Sequence, residues 1–179
     1  AAANPERAHA LRTQVSAMQA QIDWHLAQAR GGADSRATGL VTLLPEAMAP
    51  IIRALGRLHP KRDIHCASAP SMPAACDPAD FQEIFGNLLD NALRHAQGAI
   101  TIRTETTTGH IAIIIASDNA TPLPDDPEQC FTIGYSAGKT SSGLGLPVAR
   151  KLARQHGGDV GVAPCADRAD AVCTTITLA

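Results

Sequence analysis

Aromatic side chains are scarce, at 3% of the 179 residues against 45% hydrophobic residues overall. Any core must therefore be aliphatic, assembled from Leu, Ile, Val and Ala. Positive charge is not in excess either. The formal net charge is -2, and no basic patch or stripe of the kind that tracks nucleic acid is present. No run of about 18 apolar residues occurs, so no transmembrane helix is expected. The first residues lack the basic segment followed by an apolar one that marks a secretory leader. Seven histidines fall into no H-E-x-x-H or other metal-ligand spacing. The five cysteines (Cys66, Cys76, Cys130, Cys165 and Cys173) are odd in number and include no C-x-x-C pair. That pattern argues against structural zinc and against a disulfide framework, and it suits a reducing cytosol.

The length suits one domain of ordinary size plus an appendage. The opening Ala1-Ala2-Ala3-Asn4-Pro5 reads as a cut end, so a piece of a larger protein is expected. From Glu6 to Arg30 one helix is predicted, with Leu11, Val15, Met18, Ile22 and Leu26 recurring at steps of three and four. Gly31-Gly32 stops it. Such a stripe calls for a partner helix, and none follows in bundle-like form. The division expected is residues 1–33 as helix plus linker and 34–179 as a domain.

Within that domain, Gly39 to Leu44 suits a short strand and Pro45 to about Leu58 a helix. Asp63 to Ala67 suits a strand and Ser68 to Ala75 a loop rich in Pro and Ala. Asp77-Pro78 supplies an N-cap with proline at the first helical position. The helix it opens carries Phe81, Ile84, Phe85, Leu88 and Ala92 on one face, out to about His95. Strands follow at Ala99–Glu105 and Ile111–Ala116, then a polar loop from Leu123 to Ser142 and a helix from Leu146 to His156 capped by Gly157-Gly158. Two last strands are expected near Val160–Val162 and Thr174–Leu178. This order fits an α/β fold, a two-layer sandwich with helices on one face of a mixed sheet.

Three features carry chemistry. On the polar side of the Asp77 helix, Glu83, Asn87, Asn91 and His95 are spaced four apart and line up, with Arg94 beside them. Asparagine is a mediocre helix former, so two in register call for a reason. Amide oxygens can ligate a hard cation such as Mg²⁺, which keeps waters and takes phosphates as further ligands. A glutamate one turn earlier can orient a water, and an arginine one turn later can hold a phosphate. A solvated helix face that happens to carry Asn fits the spacing as well. The second feature is Gly143-Leu144-Gly145 directly before a helix, where backbone N–H groups can approach an anion. A flexible turn would look the same. The third is Asp118 at a strand end. Its carboxylate could accept from an exocyclic amine such as adenine's, or simply terminate the strand in a turn. The stretch Gly134 to Thr140 nearly spells a P-loop, but it is one residue short and no strand immediately precedes it.

Together these features resemble the GHKL ATP-binding family and, within it, the sensor histidine kinases. "FQEIFGNLLDNALRHA" is similar to that family's N box, and "SSGLGLPVARKLARQHGGDV" to its second glycine box and following helix. "SDNATPLP" falls at the first glycine box, and Phe131 where an aromatic residue belongs. The resemblance covers roughly Thr38 to Leu178 and implies a Bergerat-type sandwich. The Glu6–Arg30 helix matches the second helix of a dimerisation hairpin. By resemblance Asn87 and Asn91 would bind Mg²⁺ and the triphosphate, with Glu83 and Asn87 as the catalytic pair. Arg94, His95 and Lys139 would contact phosphates, and Gly143, Leu144 and Gly145 would approach them from the lid. Asp118 would select adenine and Thr174 would sit behind it.

One departure stands out. The family's Asp-x-Gly-x-Gly reads Asp118-Asn119-Ala120-Thr121-Pro122 here, without either glycine, which implies a stiffer hinge or weaker nucleotide binding. The resemblance implies ATP and Mg²⁺ as cofactors, a response-regulator receiver domain as partner and a homodimer through the hairpin. It also implies a cytoplasmic domain of a protein anchored in the inner membrane, with no membrane contact by this stretch. His9-Ala10-Leu11-Arg12-Thr13 partly matches the acceptor-histidine pattern. Only about twenty residues separate it from Gly31, enough for a single helix and no hairpin, so the acceptor is expected on an upstream helix. Two other readings remain open: a degenerate regulatory module of the same fold, and a GHKL serine kinase of the anti-sigma type.

Overall fold

The computed structural model describes residues 41–67, 69–107, 109–119, 123–135, 143–166 and 168–179. The predicted Glu6–Arg30 helix, its linker, His9, Lys139 and residues 120–122 lie outside them. The described elements run β1 (Thr42–Leu44), α1 (Met48–Leu58), β2 (Ile64–Cys66), β3 (Met72–Ala74), α2 (Pro78–His95), β4 (Ala96–Thr107), β5 (His110–Asn119), a 3-10 turn (Pro127–Phe131), α3 (Gly145–Gln155), β6 (Asp159–Cys165) and β7 (Arg168–Leu178). A mixed sheet of five strands has the order β2-β4-β5-β7-β6. Its β2–β4 pair is parallel and the others antiparallel. The three helices cover one face, which makes the two-layer α/β sandwich expected from the sequence.

Alternation along β5 puts Ile111, Ile113 and Ile115 under the helices, where they meet Ile100, Ile102, Ile176 and Leu178. From above, α2 presents Phe81, Ile84, Phe85, Leu88, Leu89, Ala92 and Leu93. Phe81 and Phe85 stack with ring centroids 5.7 Å apart. Each such large side chain, fully buried, contributes about 1.5–3 kcal/mol. This aliphatic core fixes α2 over the middle of the sheet. The polar strip of α2 is left at the edge of the helix layer, facing α3.

The start of α2 follows the sequence signal. The Asp77 carboxylate accepts from the N–H groups of Ala79 at 2.8 Å and Asp80 at 3.2 Å, satisfying donors that have no intrahelical partner. At the far end of α3, Gly157 adopts φ 76°. The N–H of Gly158 then closes on the Ala153 carbonyl at 2.9 Å.

Several expectations are corrected. The loop predicted over Ser68–Ala75 contains β3, which pairs antiparallel with β1 in a separate two-stranded sheet; Pro73 is its middle residue, opposite Leu43, and is tolerated because both strands of a two-stranded sheet are edge strands. The Leu123–Ser142 loop contains the 3-10 turn, capped by Asp126 on the Glu128 N–H at 3.0 Å. Strands β6 and β7 extend well beyond the predicted cores. They carry a disulfide between Cys165 and Cys173, where the cysteine pattern argued against such bonding. The two half-cystines face one another because the β6–β7 hairpin brings their strands together.

Candidate nucleotide site

Helix α2 presents Glu83, Asn87, Asn91 and His95 half-buried along one strip, with Arg94 exposed beside them. The N-terminus of α3 arrives against the middle of this strip. A Cβ placed on Gly145 would lie 3.4 Å from Asn87 Oδ1. Residues far apart in sequence, Asn87 and the Gly143–Gly145 turn, are therefore brought together, and glycine at 145 leaves the space beside the amide open. Amide oxygens beside the unpaired N–H groups of a helix start suit a hard cation and an anion side by side. This donor set fits Mg²⁺ with phosphate.

The turn itself is tightly made. Gly143 has φ 65°, and its carbonyl accepts from the Gly134 N–H at 3.1 Å. A Cβ there would stand 2.5 Å from the Tyr135 carbonyl oxygen. Residues 134 and 143 are thus pinched together. The 3-10 turn just before them is clamped to α3 by Arg150. Its guanidinium donates to both Glu128 oxygens at 2.5 and 3.1 Å and to Asp159 Oδ1 at 2.9 Å. Its Cζ also lies 4.1 Å from the centroid of Phe131, within cation–π range. The hydrogen bond from Arg150 holds the Glu128 carboxyl below the usual carboxylate range.

Arg94 and His95 are placed at the end of the α2 strip. Arg94 is engaged by Asp90, one turn back, at 2.7 Å. The His95 imidazole is pushed down chiefly by burial and further by the Arg94 charge, which favours its neutral form. Thr174 is buried on β7 and opposes Ile115, so it shares the helix-covered face.

Asp118 is not brought to that face. It lies three positions beyond Ile115 and opposes Ala171. Strand alternation therefore places it with Ile114, Ala116, Cys165, Ala171 and Cys173, the small cluster on the opposite side of the sheet. Its carboxylate is paired with Arg168, and Gly98 lies directly against it. Sequence reasoning missed Arg168 and Arg150; each acts across strands or elements, where no local pattern announces it. An open cavity of about 640 Å³ lies along α3 and the 3-10 turn, lined by residues including Phe131, Ile133, Pro147 and Arg150. None of Asn87, Asn91, Asp118 or Thr174 lines it.

Comparison with known proteins agrees with the fold. The family described as histidine kinase-, DNA gyrase B- and HSP90-like ATPase matches residues 76–179. The virulence sensor histidine kinase PhoQ of Salmonella typhimurium (strain LT2) is 25% identical over 162 residues, covering 82% of this chain and 31% of that protein. The sensor protein PhoQ of Escherichia coli (strain K12) is 26% identical over 160 residues, with the same coverage. The chain thus spans about a third of the length of these curated relatives. Among solved structures, the mycobacterial sensor histidine kinase MprB superposes with TM-score 0.69 at 19% identity, covering 77% of this chain and 95% of that one. Full-length ShkA in complex with AMPPNP gives TM-score 0.66 at 19% identity, covering 99% of this chain and 39% of that one. These likenesses confirm the sandwich fold. With the family match running through α2, the glycine turn and both C-terminal strands, the chain belongs to the histidine kinase-, DNA gyrase B- and HSP90-like ATPases.

Proposed function

We propose that this chain is the ATP-binding catalytic part of a two-component sensor histidine kinase. The observation that carries the reading is the meeting of the Asn87–Asn91 strip with the Gly143–Gly145 turn. Asn87 and Asn91 would hold Mg²⁺ through their amide oxygens, and Glu83, one turn earlier, would orient a water. The N–H groups at the start of α3 take the phosphates, with Arg94, His95 and Lys139 around them. Arg94 reaches a phosphate by leaving Asp90, one acceptor exchanged for another. Asp118 reads the adenine amine and Thr174 sits behind the base. Bound Mg²⁺–ATP supplies the transferable phosphoryl group, and positioning it in line with an incoming imidazole is what these side chains contribute.

The sequence pattern and the resemblance assign residues 1–33 to the second helix of a dimerisation hairpin plus a linker, and the acceptor imidazole to the other helix of that hairpin. A response-regulator receiver domain then takes the phosphoryl group from the histidine. The complete protein dimerises through the hairpin and is anchored in the inner membrane, with this domain on the cytoplasmic side; among the described residues no helix is long and apolar enough to cross a membrane. Support for this reading over a serine kinase of the same fold comes from the Salmonella relative, a sensor histidine kinase.

Mixing this chain with a separately produced hairpin carrying the acceptor histidine and γ-labelled ATP tests the proposal. Acid-labile label should appear on the hairpin and none on this chain alone. Asn87→Ala should abolish the transfer. Stable labelling of His9 in this chain alone would overturn the assignment of its N-terminal helix, and transfer undiminished in Asn87→Ala would overturn the site.

A further inference from the structure

The carboxylate assigned to the adenine amine already has a partner. Arg168, the first residue of β7, pairs with Asp118, and Asp118 is turned to the face of the sheet opposite Thr174. An adenine lying against Thr174 on the helix side cannot be read by a carboxylate held on the other side. Two irregularities meet at this point. Between Ala96 and Ile100 the β4–β5 register shifts, so Asp118 has no partner in β4. Between Pro164 and Cys165 the β6–β7 register shifts as well: Val172 opposes Pro164, yet Arg168 opposes Cys165. Residues 169–171 are thus looped out of the β6 ladder, and a bulge of this kind re-aims the side chains beside it. The Cys165–Cys173 bond closes the base of that loop, restricting where Arg168 can go.

We propose that Arg168 is an intramolecular competitor for the base-reading carboxylate and sets the nucleotide affinity of the domain. The inference rests on the nucleotide assignment made above. In the nucleotide-free state the guanidinium satisfies Asp118 and holds it on the outer face. Adenine binding requires that pair to open and Asp118, which pairs with Ala171 of β7 but with no residue of β4, to turn toward Thr174. The free energy of the ion pair is then subtracted from that of binding. Lacking both glycines of the Asp118–Pro122 stretch, the chain has little local backbone freedom for this turn, so release of Arg168 becomes the step that governs it. The influence of Arg168 is confined to recognition of the base.

Calorimetric titration of the whole chain with a non-hydrolysable ATP analogue and Mg²⁺ tests this, using Arg168→Ala, Arg168→Gln and Asp118→Asn beside the unaltered protein. The same titration with the inosine counterpart, which lacks the 6-amino group, supplies a readout that general loosening would not move. Both Arg168 variants should bind the adenine analogue more tightly, by up to about fivefold for a partly exposed ion pair, with little change for the inosine analogue, while Asp118→Asn weakens adenine binding. The Gln variant preserves length and polarity if Ala perturbs folding. Equal or weaker adenine affinity in both Arg168 variants, with Asp118→Asn still impaired, overturns the competitor role and leaves the nucleotide site standing. An equal gain for both analogues overturns it too. Absence of binding in every protein overturns the nucleotide assignment itself.

Discussion

Reducing the Cys165–Cys173 bond should destabilise the domain by an amount that the chain path sets. The two cysteines are 8 residues apart, and closing a loop of about that length removes unfolded-state entropy worth about 2.5 kcal/mol at 25 °C. Both side chains are buried in the cluster on the open face of the sheet, so the folded hairpin stays packed when the bond is cut, and most of the loss comes from the freed unfolded chain. With a urea slope of about 2 kcal/mol/M, the midpoint should fall by about 1 M in reducing agent. Cys165→Ala/Cys173→Ala should lose a similar amount and no longer respond to reductant. Thiol labelling gives the matching count. Burial pushes the Cys76 thiol up to about 12 and raises those of Cys66 and Cys130, so labelling belongs in denaturant. Three of the five cysteines should react before reduction and all five after it. Five reactive thiols without reductant, or an unchanged urea midpoint, would refute the reasoning.

Gly143→Ala forces a side chain into a left-handed conformation at φ 65° and against the Tyr135 carbonyl. That conformation alone costs about 1–2 kcal/mol, so melting should drop by several degrees and affinity for the ATP analogue should fall, whereas Gly161→Ala, with open space around it, should change neither. Asp159 is held down to about 2: burial is the largest single influence and acts upward, but hydrogen bonds from Arg154, Arg150 and the Val160 N–H together outweigh it. Its contribution is therefore present above the ordinary value of 3.8 and lost as pH falls from there toward 2. Discounted for its exposure, it should amount to about 1 kcal/mol or less, seen as a stability gap between wild type and Asp159→Asn that is present at pH 6 and closes near pH 2. Phe85→Ala, at a fully buried position between α2 and the sheet, should cost about 3–5 kcal/mol.

What could be read from the sequence followed local physics. Helix α2 announced itself through Asp77-Pro78 and a clean apolar stripe, and β4 and β5 through alternating isoleucines. The same Asp-Pro signal opens the 3-10 turn at Asp126-Pro127, but no apolar stripe follows it to mark a helix. Strand β3 was hidden by its length and by Pro73. The outer halves of β6 and β7, with Pro164 and the polar residues around Arg168, are strands because the hairpin and the Cys165–Cys173 bond pair them, not because their residues favour extension. At the site, the Asn87–Asn91 strip was legible as a helix period. The approach of Gly145 to Asn87 was not legible, since helix packing brings it about; resemblance alone assigned both to the triphosphate. Asp118 was legible as a strand-end carboxylate, but its face depends on the β5–β7 register, and its partner lies 50 residues away across a bulge that no local pattern marks.

The central claim is that Asn87 and Asn91, with the turn at Gly143–Gly145, hold Mg²⁺ and the triphosphate. Calorimetric titration of a non-hydrolysable ATP analogue into the chain, with Mg²⁺ and then with a chelator, tests it most directly when Asn87→Ala and Asn91→Ala are measured alongside. The account predicts saturable binding that requires Mg²⁺ and disappears in both folded variants. Binding that persists unchanged in the two variants, or that is indifferent to the chelator, would contradict it.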